Sequence, residues 1–189
     1  MAGTVEIVGT EEKYSGWCRL LVATIRLADG KTVRREVEDH GAAASVLPYD
    51  PERRVALVIR QLRGPVLYAG GGAAIIEAPA GLIDAGEDAE TTARREAMEE
   101  VGVRLTSLEL AVAGWTMPGL STEHMPLYLG SYTEKDRTGA GGGESDEQIE
   151  VVELPLATLA AMADDGRLAD LKTFALVQTL RLRRPELFR

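Results

Sequence analysis

The stretch that decides the fold is GLIDAGEDAETTARREAMEEVGV, which runs from Gly81 to Val103. From Ala89 onward, small or aliphatic residues recur at every fourth position, ending at Val101. This spacing is typical of a helix with one apolar side. It predicts a helix over about 88–101, which Gly102 ends.

Three carboxylates share one face of this predicted helix. Glu96, Glu99 and Glu100 are spaced i, i+3 and i+4, which places them within an arc of about 100°. Like charges at this spacing repel by roughly 0.2–0.5 kcal/mol per pair, so a nearby cation is needed to offset the repulsion. Arg94 and Arg95 are one source of positive charge, and Mg²⁺, which favours carboxylate oxygens, is another. A solvated acidic face is the alternative, and these residues alone leave both open.

Composition limits the protein to one ordinary domain with a modest extension. The chain has 189 residues, 45% hydrophobic and 27% charged, which is enough for a sizeable core. Its formal net charge of -9 argues against a duplex nucleic-acid partner, because the phosphates would be repelled. No apolar run approaches the roughly 18 residues of a membrane helix, and no secretory leader pattern is present. Cys18 is the single cysteine, so no internal disulfide forms and a cytoplasmic, membrane-free protein is expected.

Strands are predicted to outnumber helices in the rest of the chain, which indicates an α/β fold. An N-terminal hairpin is expected from strands over 17–27 and 32–37, and 55–59 is typical of a strand buried on both faces. The glycine-rich loop over 138–146 is expected to be mobile. Further strands are predicted over 42–47, 54–62, 75–79, 107–117, 125–132 and 150–154, and further helices over 156–164 and 172–183.

The 81–103 pattern resembles the Nudix box, with Ala97 as its one departure, since a larger aliphatic residue is usual there. From its first glycine, the pattern is Gly, any five residues, Glu, any seven residues, Arg-Glu, any two residues, Glu-Glu, any one residue, Gly and an aliphatic residue. The resemblance implies a loop–helix–loop inside an α/β/α sandwich. It also implies hydrolysis of a nucleoside diphosphate linked to another moiety, with Mg²⁺ or Mn²⁺ as cofactor. By this resemblance the metal ligands are Glu96 and Glu100, with Glu99 auxiliary and the backbone carbonyl of Ala80 as a further ligand, and Glu100 acts in catalysis.

Segments outside the box are similar to the nucleotide-sugar branch of the Nudix hydrolases. They are 34–37, 60–63, 77–82 and 117–119, with Pro118 fifteen residues after Val103. The stretch 140–151 and Lys172-Thr173 are especially similar to the bacterial GDP-mannose hydrolases of that branch. The resemblance implies hydrolysis of a nucleotide sugar to a nucleoside monophosphate and a sugar phosphate. GDP-mannose is the favoured substrate, and ADP-ribose is the alternative. A Nudix module that binds a nucleotide without cleaving it is the alternative of another class, but the full set of box glutamates argues against it.

The chemistry of pyrophosphate cleavage suggests further site residues. An activated water is needed, and Glu147, which follows the glycine-rich loop and matches the family's loop glutamate, is expected to act on it or to bind the metal. Asp146 and Glu144 are its rivals. Arg63 can hold a diphosphate through two hydrogen bonds, and Glu123 can accept hydrogen bonds from sugar hydroxyls. The full set of expected substrate contacts is Trp17, Arg34, Arg35, Glu36, Arg63, Gly81, Leu82, Glu123, Asp146 and Lys172.

The N-terminal strands are similar to an arm that, in this branch, crosses to a second subunit. We therefore expect residues 1–38 to form an exchanged arm, residues 39–189 to form the hydrolase domain, and the protein to be a homodimer. Trp17, which matches an aromatic that stacks on the base, would complete the partner's site together with Arg34 and Arg35. A hairpin alone is marginally stable, so packing on a neighbour gives it a reason to fold.

Overall fold

The computed structural model describes residues 3–143 and 148–189. The chain forms two compact units. The first contains the chain up to Ala42 together with 114–124, and the second contains 43–113 and 125–189. None of the described helices is long and apolar enough to cross a membrane.

The first unit is built on a three-stranded antiparallel sheet. Its strands are β1 (Glu6–Ser15), β2 (Arg19–Arg26) and β3 (Thr32–Asp39), in the order β1-β2-β3. The β2–β3 hairpin predicted from the sequence is present, with Arg26 opposite Thr32. The strand β1 was not predicted. All ten of its residues are exposed, so it lacks the buried alternation by which a strand is recognised.

Segment 114–124 pairs with the end of β3. The amide of Glu38 donates to the carbonyl of Leu120 (2.8 Å), and the amide of Thr122 donates to the carbonyl of Glu38 (2.9 Å). The Pro118 loop is therefore fixed to the same strand end that carries His40.

The second unit contains a seven-stranded sheet with helices on both faces. Its strand order is β10-β5-β4-β9-β8, with β6 paired to β5 and β7 paired to β4. Strands β4 and β9 are parallel, whereas β5 pairs antiparallel to β4, β6 and β10. The bounds are β4 Ala43–Asp50, β5 Val55–Leu62, α1 Gly64–Tyr68, β6 Ala74–Glu77, β7 Ala80–Leu82, α2 Ala89–Val101, β8 Glu109–Trp115, β9 His124–Ser131, β10 Glu150–Pro155, α3 Leu156–Asp164 and α4 Leu171–Arg183.

The central strands contribute to two separate cores, as expected for a sheet covered on both faces. Leu57 and Ile59 point to the α2 side, where they meet Ala93, Ala97 and Val101. Alternate residues point to the opposite side, where α3 and α4 bring Leu159, Leu176 and Leu180. The prediction of a strand buried on both faces over 55–59 is therefore confirmed for 56–59, and so is the α/β/α sandwich.

The mid-chain helix has the bounds that the sequence predicts, and its ends explain why. The side chain of Asp88 accepts a hydrogen bond from the amide of Thr91 (2.8 Å), which satisfies one of the unpaired donors of the first turn. Gly102 ends the helix in the left-handed conformation at φ 68°, which glycine adopts at little cost.

Candidate active site

Of the three α2 carboxylates predicted to be metal ligands, two are buried and one is exposed. Glu96 is 8% exposed and Glu100 is 2% exposed. The side chain of Glu99 is 52% exposed. Burial of two carboxylates on one helix face is costly unless cations or hydrogen-bond donors compensate, so this face is built for more than solvation. The sequence alternative of a solvated acidic face therefore does not hold for Glu96 and Glu100.

The backbone of β7 lies directly against these two buried carboxylates. The amide of Ala80 donates to Oε2 of Glu100 at 3.1 Å. A Cβ added to Gly81 would lie 1.8 Å from Oε1 of Glu96, so any side chain there would force that carboxylate to shift. This close approach favours glycine at residue 81, and the β7 backbone brings the predicted ligand Ala80 together with Glu96 and Glu100.

Arg95 holds the acidic face in place. Its Nη1 donates to Oε1 of Glu96 (2.6 Å) and to Oε2 of Glu99 (3.0 Å), and its Nη2 donates to the carbonyl of Leu82 (3.0 Å). Glu87 accepts from the same guanidinium at 3.3 Å. Burial lowers the pKa of Arg95, but the hydrogen bonds to Glu99, Glu87 and Glu96 and the charge of Glu96 outweigh it, so the pKa is raised. Leu82, expected to contact substrate, has its carbonyl bonded to Arg95.

The chemistry of this donor set fits a hard divalent cation. Glu96 and Glu100 would supply carboxylate oxygens and the backbone of Ala80 would supply a carbonyl, which are the ligand types that Mg²⁺ and Mn²⁺ favour. Within 3–143 and 148–189, no group of three or more His, Cys, Asp or Glu side chains is arranged to hold a metal ion by itself.

A second ionic cluster joins three distant parts of the chain. Glu77, at the end of β6, has a side chain that is only 3% exposed. It accepts from Nε (2.6 Å) and Nη2 (3.0 Å) of Arg63 and from Nζ of Lys172. Nζ of Lys172 also lies 3.1 Å from Asp170, the residue that begins α4. The structure thus brings together Arg63 and Lys172, two predicted substrate contacts, on a carboxylate that the sequence did not single out.

In this second cluster, the buried carboxylate of Glu77 and its two cationic partners shift each other's pKa. Burial raises the pKa of Glu77, but the hydrogen bonds and charges of Arg63 and Lys172 outweigh it and hold the pKa below its usual value. The hydrogen bond to Glu77 raises the pKa of Arg63 against the effect of burial, and the charges of Glu100 and Asp170 raise it further. The effect of Glu100 places the guanidinium within electrostatic reach of the acidic face on α2.

The glycine-rich segment after residue 137 is anchored on the C-terminal end of α2. The amides of Gly142 and Gly143 donate to the carbonyls of Glu100 (2.8 Å) and Glu99 (3.0 Å). A Cβ on Gly141, which has φ +68°, would lie 2.3 Å from the carbonyl oxygen of Glu100. The sequence predicted a mobile loop that does not pack, but residues 138–143 are bonded to the helix that carries the carboxylates. Glu144, Asp146 and Glu147 lie outside the described residues.

In the first unit, the structure brings together Trp17 and Glu123 through His40. The imidazole stacks on the indole of Trp17 with a centroid distance of 4.9 Å, and its Nε2 lies 3.0 Å from Oε1 of Glu123. The sequence assigned no role to His40, and a lone histidine before a glycine gives no signal of this contact. Arg34 pairs with Glu11 at 3.0 Å, and Arg35 and Glu36 are exposed.

Comparison with known proteins identifies the class to which this fold and site belong. The family model described as NUDIX domain matches residues 39–176, so the chain belongs to that family and the predicted resemblance is confirmed. A GDP-mannose pyrophosphatase of Cronobacter sakazakii is 39% identical over 158 residues, covering 82% of each chain. A GDP-mannose pyrophosphatase of Pectobacterium atrosepticum is 35% identical over 183 residues, covering 94% of each chain.

A solved structure described as an ADP compounds hydrolase has the same fold. It covers 98% of this chain and 97% of its own, with a TM-score of 0.78 and 18% sequence identity. The Nudix fold predicted from the 81–103 pattern is therefore confirmed.

Proposed function

We propose that this protein is a Mg²⁺-dependent pyrophosphatase that hydrolyses GDP-mannose to GMP and mannose 1-phosphate. The observation that carries the proposal is the burial of Glu96 and Glu100 against the Ala80–Gly81 backbone. Relatives of 34–39% identity that bear the name GDP-mannose pyrophosphatase support the substrate. The reaction consumes one water and breaks one phosphoanhydride bond.

The acidic and basic clusters divide the work of this reaction. Glu96, Glu100 and the carbonyl of Ala80 would hold the metal, with Glu99 as an auxiliary ligand, and the bound cation would supply charge neutralisation at the phosphoryl oxygens. Arg63 and Lys172 would bind the diphosphate. Each of these two cations would then replace part of its bonding to Glu77 with bonds to phosphate oxygens. This is possible because both share the single carboxylate of Glu77.

Glu147 remains our choice for the residue that accepts the proton of the attacking water. The bonds from Gly142 and Gly143 to the carbonyls of Glu100 and Glu99 support it, because Glu147 follows Gly143 by only four positions in the sequence. Asp146 and Glu144 are the rivals. Substrate contacts by Trp17, Arg34, Arg35, Glu36, Gly81, Leu82, Glu123 and Asp146 also remain proposals.

The protein is further proposed to act as a homodimer with residues 1–38 as an exchanged arm and 39–189 as the hydrolase domain. The exposure of every residue of β1, with Ile7, Val8 and Tyr14 among them, supports a partner for this strand. The cytoplasmic location expected from the sequence stays a prediction.

A substrate panel tests the proposed activity. GDP-mannose, ADP-ribose, ADP-glucose and NADH are each incubated with the protein and Mg²⁺, Mn²⁺ or EDTA, and phosphate is measured after phosphatase treatment of the products. We expect turnover with metal, none with EDTA, and the highest kcat/KM for GDP-mannose. A kcat/KM at least ten times higher for ADP-ribose would reassign the substrate. No turnover of any member would contradict the proposed activity and favour the alternative of a non-catalytic nucleotide-binding module.

Single substitutions then separate the metal ligands from the proton acceptor. Glu96→Gln and Glu100→Gln remove a charged ligand, so we expect a large fall in kcat that excess Mg²⁺ partly restores. Glu147→Gln is expected to lower kcat by roughly 10² to 10⁴ with KM nearly unchanged, and added metal is not expected to restore it. A Glu147→Gln enzyme within a few-fold of wild type at every metal concentration would exclude Glu147 and make Asp146 or Glu144 the next residue to test.

A further inference from the structure

Trp17 occupies an unusual position for a large aromatic side chain. It lies at the tip of the three-residue turn between Ser15 and Arg19, and it is 75% exposed. The amide of Gly16 donates to the carbonyl of Cys18 at 3.0 Å, which closes the turn. A Cβ on Gly16 would clash with the ring of Tyr14, so the tip is shaped by close contact. Because so little of the side chain is buried, packing alone does not fix the orientation of the indole. Its orientation depends instead on a contact with another ring.

That contact is the imidazole of His40. The two rings are stacked with an interplanar angle of 22°. Offset stacking of aromatic rings at such a distance is attractive, and a protonated imidazole adds a cation–π contribution. His40 covers part of the indole, and most of the remaining surface of Trp17 stays exposed to solvent.

His40 is itself held on both ring nitrogens. Its Nδ1 lies 2.7 Å from Oε1 of Glu38, and its Nε2 lies 3.0 Å from Oε1 of Glu123. A carboxylate only accepts hydrogen bonds and a neutral imidazole has a single N–H, so both nitrogens must be protonated for both bonds to form. All three side chains are mostly buried, at 13–18% exposure.

The groups around this triad reinforce its geometry. Oε2 of Glu38 accepts from Oγ of Ser121 (2.7 Å). The next charged pair along β3 is Asp39 with Arg19, at 3.6 Å. Burial lowers the pKa of His40, but the hydrogen bonds and charges of Glu123 and Glu38 outweigh it, so the pKa lies above its usual value. The two carboxylates therefore favour the protonated form of the imidazole.

We infer that His40 is a positioning residue for nucleobase binding: tethered by Glu38 and Glu123, it holds the Trp17 indole so that the uncovered face is a preformed platform for the base. The inference rests on the proposed function, because a nucleotide substrate supplies the base. It gives Glu123 the task of orienting His40 in addition to the sugar contact expected from the sequence. Preformation matters because a ring that is already fixed loses less conformational freedom when the base stacks on it.

The experiment uses the full chain with Trp115→Phe, so that Trp17 is the only fluorophore of its kind. The chain provides a matched control pair, since its other tryptophan, Trp115, contacts its other histidine, His124, at 5.2 Å. The probe is GMP, which binds without turnover, and its affinity is measured by quenching of Trp17 fluorescence. KM and kcat for GDP-mannose are measured in parallel.

His40→Phe keeps a stacking ring but removes both tethers. We expect it to weaken GMP binding and raise KM by roughly 3- to 10-fold, with kcat nearly unchanged. Trp17→Ala is expected to raise KM by roughly 5- to 100-fold, with GMP affinity in that variant measured by calorimetry. His124→Phe should change neither value by more than about two-fold, which is the range of ordinary surface substitutions.

A fluorescence titration distinguishes positioning from simple structural support. A protonated imidazole in contact with an indole quenches its emission, so Trp17 emission should rise with pH at a midpoint above 6.5. This transition should vanish in His40→Phe and persist in His124→Phe. Glu123→Gln, which keeps an acceptor oxygen but removes the charge, should lower the midpoint and raise KM less than His40→Phe does.

Failure of this inference can be told from failure of the proposed function. Loss of affinity in Trp17→Ala but none in His40→Phe would overturn the role of His40 and leave the base contact intact. An unchanged affinity in Trp17→Ala would overturn the base contact itself. If His40→Phe does not fold, an unchanged titration midpoint in Glu123→Gln refutes the tether by itself.

Discussion

At the scale of single residues, the space around Gly81 sets the tightest constraint on the site. A Cβ there would lie 1.8 Å from Glu96, so Gly81→Ala has to displace a proposed metal ligand. We expect kcat/KM to fall by roughly 10²-fold or more, because an ångström of misplacement costs about that much, and the Mg²⁺ dependence to shift to higher concentration. Steady-state kinetics across a Mg²⁺ series measures both.

Gly114→Ala is the matched control for this substitution. No atom lies within 4 Å of a Cβ at Gly114, and its backbone is not left-handed. Its activity should equal wild type within about two-fold. If Gly81→Ala were equally active, Glu96 would not need its observed position for catalysis.

Sequence reasoning found the residues whose spacing is local and missed those that meet only after folding. Glu96 and Glu100 are four residues apart on one helix, so their shared face follows from helix geometry. Glu77 meets Arg63 and Lys172 across 14 and 95 residues, and no sequence period encodes such contacts. His40 likewise meets Glu123 across 83 residues.

At the scale of elements, Glu77 ties β6 to the beginning of α4. Glu77→Ala leaves two cations around a buried site without their carboxylate, and we expect it to lower the free energy of unfolding by about 3–5 kcal/mol. Chemical denaturation at neutral pH measures this value. Asp164→Asn, which breaks the exposed pair with Arg181, should leave the midpoint almost unchanged.

The pH dependence of this effect has a definite sign. The folded-state pKa of Glu77 is lowered from 4.5, so the ionised carboxylate contributes stability above its unfolded value and loses it as the pH falls through the folded one. The difference in stability between wild type and Glu77→Gln should therefore shrink as the pH falls below about 4.5. A difference that stays constant from pH 7 to pH 3 would rule out the ionic contribution.

The attachment of the glycine-rich segment to α2 gives a second element-scale prediction. Gly141→Ala places a Cβ at a left-handed position, 2.3 Å from a backbone oxygen, so the segment has to detach or shift. We expect a stability cost of about 1–3 kcal/mol and a fall in kcat. Gly139→Ala is the control, because its Cβ would make only ordinary contacts at 3.8 Å. Equal kcat for both variants would show that this anchoring is irrelevant to turnover.

Elements with strong local signals were predicted closely, and elements without them were not. The helix α2 was predicted to within a residue because an apolar period ends at a glycine stop. The strand β1 has no buried face, and the short helix α1 begins with Gly64-Pro65, which also suits a loop. Neither element contains a buried residue, so neither gives a hydrophobic pattern that the sequence could reveal.

At the scale of the whole molecule, subunit mixing tests the exchanged arm. Two inactive variants are mixed. The first, Glu100→Gln, has an intact arm but lacks a proposed metal ligand. The second has all of its α2 carboxylates but carries three substitutions in the arm, Trp17→Ala, Arg34→Ala and Arg35→Ala. If the arm of one subunit completes the site of the other, an equal mixture that exchanges subunits should recover roughly a quarter of wild-type activity. Light scattering establishes the dimer, and activity is assayed after mild denaturation and refolding. An arm that serves its own subunit would give no recovery beyond the sum of the separate variants.

The guanidinium of Arg95, which bonds to Glu87, Glu96, Glu99 and the carbonyl of Leu82, has a consequence for the order of events after synthesis. The acidic face of α2 carries its own counter-ion, so we expect the nascent chain to fold as it leaves the ribosome even in a cell starved of magnesium. Under the proposed function, the metal would join a finished site by competing with an arginine already in place. Folding and metal supply would then be uncoupled, and a magnesium shortage would leave intact protein that regains activity once the ion returns.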